Sequence, residues 1–278
     1  RARGTTLGAD NGIAVAYMLA MLEDDTLVHP PLEAVFTVEE EIGMGGAADF
    51  DAFDLEGRRF LNMDTEVEGD LLVSCCGGRR MRVYLPAKRE TRPMDKTAFA
   101  VRIRGLKGGH SGADIHLQRA SANRLLGRTL YALRELTAYH LVQADGGNMD
   151  NAICREADAV ILIAPEQEGA VRNLLAELEK MFQEEYISRE TAITITMEPL
   201  REEIQQTLTD ETRDRIIALL MLLPYGVQTM SWDMDGLVES SSNIGILKTR
   251  EEDIFIDNAV RSSVESRNEL ICQKIQEI

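Results

Sequence analysis

The chain has 278 residues, 44% of them hydrophobic and 28% charged, and a formal net charge of −17. Its length and apolar content leave room for two domains with a substantial buried core. The acidic balance excludes a nucleic-acid partner, which demands clusters of lysine and arginine, and no apolar run approaches the length of a membrane span.

In chain order, Asp10 precedes NGIAVAYMLAMLEDD, where Ile13, Ala14, Tyr17, Met18 and Met21 recur at helical spacing. Pro30-Pro31 stops that helix, and LEAVFTV reads as a buried strand running into Glu39, Glu40 and Glu41. GMGGAADFDAF is expected to be a loop and short helix, and RRFLNMD a second strand ending at Asp64. Strand, helix and strand with little polar alternation predict a mostly parallel sheet covered on both faces. In such sheets ligands lie beyond the carboxyl ends of the strands.

From about Leu71 the pattern changes. RRMRVYLP and TAFAVRIRGL alternate as half-buried antiparallel strands do. A helix is expected over about 118–136, strands at YHLVQADGG and ADAVILI, a helix over roughly 166–185, and a strand at TAITITMEPL. After Asp210 come a further helix, GVQTMSWDMDG, SSNIGILKTR and DIFIDNAVRSSVES. This is an α+β layer repeated about twice, with helices on one face of an antiparallel sheet. The fold class is therefore α/β: a partial doubly wound, mostly parallel domain over 1–72, with an inserted α+β domain over 73–278. The opening at Arg1 and the close inside the amphipathic SRNELICQKIQEI read as the middle of a larger protein. Cys75, Cys76, Cys154 and Cys272 have neither zinc-knuckle nor redox spacing, so reduced thiols in a cytoplasmic protein are expected.

Asp10 in GADNG, the triple acid in FTVEEEIGM and Asp64 in FLNMDTE are carboxylate clusters at the ends of elements. Hard or borderline metal ions take oxygen ligands gathered from separate segments, and a spare carboxylate beside them can serve as general base. Each cluster also has a plain reading: Asp10 as a helix N-cap, Glu39–Glu41 as a solvated turn, and Asp64 as a strand-end cap.

Together, GADNG, EEEIGM and NMDTE resemble the metal-site segments of the co-catalytic zinc peptidases that include carnosinase and aminoacylase. GLKGGHSGADIHLQRASANRLLGR, GGNMDNAICREADAVI, SSNIGILKT and VRSS extend the likeness over nearly the whole chain. The subgroup most similar is that of the bacterial aminoacyl-histidine dipeptidases.

The resemblance implies a dinuclear zinc dipeptidase, with cobalt or manganese as alternative metals. Asp10 would bridge the two ions, Glu41 would bind one and Asp64 the other, while Glu40 would act as general base on the attacking water. His110 would be a lid residue steadying the carbonyl oxygen, and Asn151 and Arg261 would hold the substrate, Arg261 through its carboxylate. The partners implied are a dipeptide of the Xaa-His type and a second copy of the chain, joined through the lid domain. The family's His-x-Asp element and its C-terminal histidine are missing, since His29, His110, His116 and His140 are the only histidines. These 278 residues alone are therefore expected to be inactive. Two further readings stay open: an N-acyl amino acid amidohydrolase on the same scaffold, and a non-catalytic dimerisation module.

Overall fold

The computed structural model describes residues 3, 10–40, 43–65 and 69–278. They fall into two units, 1–74 and 75–278.

In the first unit, α1 (Gly12–Glu23) forms where the periodicity places it, but Asn11 rather than Asp10 is its N-cap: Asn11 Oδ1 accepts from Ala14 N–H at 3.1 Å. Of the expected stripe, Ala14 is buried, Met18 and Met21 are half-buried, and Ile13 and Tyr17 are exposed. The short helix α2 (Gly45–Ala48) follows the acidic turn. The parallel sheet expected for 1–72 does not form among the described residues. LEAVFTV and RRFLNMD are extended but unpaired, and Val38, Phe60 and Leu61 are exposed. An apolar run becomes a strand only when a neighbour accepts and donates along its length, and neither run has such a neighbour here.

The second unit is built on one eight-stranded antiparallel sheet rather than on a layer repeated twice. Its strands are β1 (Gly77–Pro86), β3 (Thr97–Arg104), β5 (His140–Gly146), β7 (Ala157–Ile163), β8 (Thr194–Pro199), β10 (Gly226–Met230), β11 (Val238–Thr249) and β12 (Asp253–Ser262). The order is β1-β12-β11-β5-β7-β3-β8, with β10 also paired to β11. Two small ladders lie apart: β2 (Arg89–Thr91) with β9 (Gln206–Leu208), and β4 (Gly109–His110) with β6 (Ala152–Ile153).

Helices α3 (Ala122–Leu136), α4 (Glu168–Glu185), α5 (Asp210–Leu222) and α6 (Glu265–Glu277) pack with the sheet to make the core. The apolar face of α3 carries Leu125, Leu126, Leu130 and Leu133, all fully buried, at the spacing of one helical face. α4 buries Val171, Leu175, Leu178 and Phe182 in the same way. Sheet residues Phe99, Val101, Ile103, Ile161 and Ile163 belong to this core, whereas Arg102, Arg104 and Asp158 alternate with them and form ion pairs on the opposite side. At Gly127 the crossing of α3 and α5 is so close that a methyl group would lie 2.6 Å from Leu220 Cβ.

Candidate functional site

The four motifs of the second unit converge. The β4–β6 ladder sets His110 opposite Ala152, and Ser111 N–H donates to the Asn151 carbonyl at 2.7 Å. The turn GGHSG is tight: His110 N–H donates to Asp114 Oδ2 at 2.9 Å, and Gly109, at φ 142, adopts a backbone that only glycine reaches readily. The His110 Nδ1 accepts from Gly112 N–H at 3.2 Å and Ala113 N–H at 3.0 Å. A nitrogen that accepts carries no proton, so a neutral imidazole here bears its hydrogen on Nε2.

Arg261 stands beside this turn. A methyl group on Gly112 would fall 3.1 Å from His110 Cε1 and 3.3 Å from both Cζ and Nε of Arg261, so the imidazole and the guanidinium meet across a glycine with no space to spare. The buried Nε of Arg261 has no hydrogen-bond partner among the described residues. Leaving such a cationic donor unmatched is costly, and a carboxylate is the group whose geometry suits it. Asn151 is half-buried in the turn that leads directly into β6.

Asp257, four residues before Arg261 on β12, pairs across to Arg82 at 3.5 Å. Burial, and then the nearby Asp150 carboxylate, push its carboxyl above the usual range. Cys154, which follows the site loop, is buried, and burial pushes its thiol up to about 11. A thiol held there is almost wholly protonated at neutral pH, as a structural buried cysteine is.

In the first unit the expected metal carboxylates Asp10 and Asp64 are exposed, as is Glu40. Asn11 Nδ2 donates to the Met63 carbonyl, tying the segment of Asp10 to that of Asp64. The acidic turn is closed by Met44 N–H donating to the Glu39 carbonyl at 2.8 Å and Gly43 N–H to the Glu40 carbonyl at 3.1 Å. Gly46 is required there, because a methyl on it would lie 2.6 Å from the backbone of Val38. Glu41 lies outside the described residues. Among the described residues no group of three or more His, Cys, Asp or Glu side chains is placed to hold a metal ion. His29, the one histidine of this unit, engages the Pro30 carbonyl through Nδ1 at 2.7 Å. His116 closes a short turn and His140 lies on β5, away from the described site contacts.

The sequence pointed to His110, Asn151 and Arg261 but passed over the residues that hold them. Asn243 of SSNIG and Arg80 of the first antiparallel strand both fasten the loop carrying Asn151. The polar Asn243 inside an otherwise apolar strand pattern was the available signal.

Residues 101–190 match the peptidase dimerisation domain family. Over all its 278 residues the chain is 34% identical to the cytosol non-specific dipeptidase of Escherichia coli strain K12, of which it covers 57%. The crystal structure of aminoacylhistidine dipeptidase from Vibrio alginolyticus superimposes with a TM-score of 0.80 and 34% identity, over 99% of this chain and 56% of that one. The chain thus spans somewhat more than half the length of the relatives it matches.

Proposed function

Because residues 101–190 match the peptidase dimerisation domain family and the whole chain aligns with somewhat more than half of a dipeptidase, we propose that its second unit is the substrate-binding lid of a dipeptidase. The observation that carries this reading is the partnerless, buried Nε of Arg261 beside the His110 turn. Arg261 takes the C-terminal carboxylate of the dipeptide, and the Asn151 side-chain amide orients its backbone. The Nε2–H of His110 donates to the carbonyl oxygen as negative charge develops there, a contribution of about 3–4 kcal/mol for one oxyanion donor.

In the first unit, Glu40 is assigned as the base that takes a proton from water, and Asp10, Glu41 and Asp64 as metal ligands. The described carboxylates do not by themselves fit a zinc pair. They form no three-residue group, and zinc in such sites takes mixed nitrogen and oxygen ligands. These residues are proposed as a partial ligand set, and the chain alone as catalytically silent. A second copy of the chain is the proposed partner, since the matched family is named for dimerisation. The cytosolic name of the Escherichia coli relative favours a cytoplasmic setting. Among the described residues no helix is long and apolar enough to cross a membrane.

Titration with L-alanyl-L-histidine and with N-acetyl-L-histidine, followed by NMR on the amides of 109–113 and 149–153, tests the substrate class. The dipeptide is expected to shift these signals at lower concentration than the N-acyl compound. The reverse order would replace the dipeptidase reading with that of an N-acyl amino acid hydrolase.

A further inference from the structure

Asn243 is bound closely to the candidate site and is itself only 1% exposed. Its Nδ2 donates to the Asp150 carbonyl at 3.0 Å and to the Ala152 carbonyl at 2.9 Å. These flank Asn151, whose own carbonyl is taken by Ser111 N–H at 2.7 Å. Three successive backbone acceptors are therefore engaged. Only an amide supplies both donors from one short side chain, because a carboxylate at 243 would set oxygen against oxygen.

The backbone below is equally constrained. β11 slips one residue against β12 between Ile244 and Ile246, which makes Gly245 the bulged residue. A methyl group on Gly245 would lie 2.5 Å from the Asp150 carbonyl oxygen. Gly147, at φ 69, approaches the same strand so closely that its own methyl would fall 1.9 Å from the Gly245 carbonyl oxygen. On the outer side Arg80 of β1 ion-pairs with Asp150.

We propose that Asn243 is a positioning residue for substrate: by holding the carbonyls on either side of Asn151 it fixes that side chain and, through the Asn151–Ser111 bond, the turn carrying His110, with the Arg80–Asp150 ion pair as an outer strut. The inference rests on the dipeptide-binding reading above. Asn243 is too deeply buried to touch a ligand and acts only through Asn151 and Ser111. Arg80, whose side chain is 47% exposed, steadies the loop from the solvent side.

Amide hydrogen exchange and dipeptide binding, measured together on the whole chain, test the clamp. In Asn243→Ala the Ser111 amide is expected to exchange about tenfold faster, the scale set by losing one or two hydrogen bonds. The β3–β7 ladder should keep its protection, and L-alanyl-L-histidine affinity should fall by about the same factor. Arg80→Ala, a change at an ion pair whose arginine is 47% exposed, should act in the same direction with smaller amplitude, and Arg80→Lys should restore it. Unchanged Ser111 exchange in both variants overturns the proposal. So does faster exchange with dipeptide affinity still at the wild-type level. A wild-type chain that binds no dipeptide sinks the substrate reading alone, and the exchange result then decides whether the clamp exists.

Discussion

Asp257 is only 5% exposed, its Oδ1 has no partner among the described residues, and Arg82, with which it forms an ion pair, is about half exposed. Burial is the largest influence on it and raises its carboxyl above the ordinary value of 3.8. A carboxyl that holds its proton more tightly when folded than unfolded makes the folded state gain stability as pH falls through the raised value. The cost is fully present above that value. Asp257→Asn is therefore expected to raise stability at pH 7 by roughly 1 kcal/mol, because the charge it removes is buried and Arg82 remains hydrated. Denaturant melts of both proteins should converge as pH drops toward the ordinary carboxylate range, and a variant less stable at pH 7 would refute the assignment. Single residues also mark what the sequence could convey. His110, Asn151 and Arg261 were legible because they sit in recognisable motifs. That Asn11 rather than Asp10 caps α1 was not, since either side chain accepts equally well and only the backbone geometry chooses.

Among elements, the helices of the second unit followed from periodicity. α3 and α4 form within a few residues of their expected bounds, because each has one apolar face that the sheet can cover. Phe182 closes the α4 face: it is fully buried, with the Arg128 guanidinium 4.5 Å from its ring centre. Phe182→Ala is expected to cost about 3–5 kcal/mol, read as a lower denaturation midpoint at unchanged slope, and a loss under 1 kcal/mol would mean the site collapses without a cavity. The strands expected within 1–72 stay unpaired among the described residues for the complementary reason. LEAVFTV and RRFLNMD have strand composition, but pairing is a property of two segments, and no described neighbour supplies the second ladder. The bulge at Gly245 was equally illegible, because nothing in SSNIGILKT says that a loop from ninety-odd residues earlier will press on that glycine.

At the scale of the molecule the two units differ in what holds them. Residues 75–278 are built around one main sheet and one continuous core, whereas in 1–74 the only buried apolar side chain among described residues is Ala14. Leu71, Leu72 and Val73, just before the second unit, are exposed. Limited proteolysis is therefore expected to cut between 69 and 76 and to leave a resistant product close to 75–278. Cleavage inside α3–α5 at comparable rate would contradict the division. The account as a whole stands on Arg261 accepting a carboxylate beside His110. The most direct test is calorimetric titration of the wild-type chain and of Arg261→Ala with L-alanyl-L-histidine. The account predicts that the variant binds about 10- to 100-fold more weakly, the worth of a charge-assisted pair, with thermal stability no lower than that of the wild type. Equal affinity in the two proteins would contradict it.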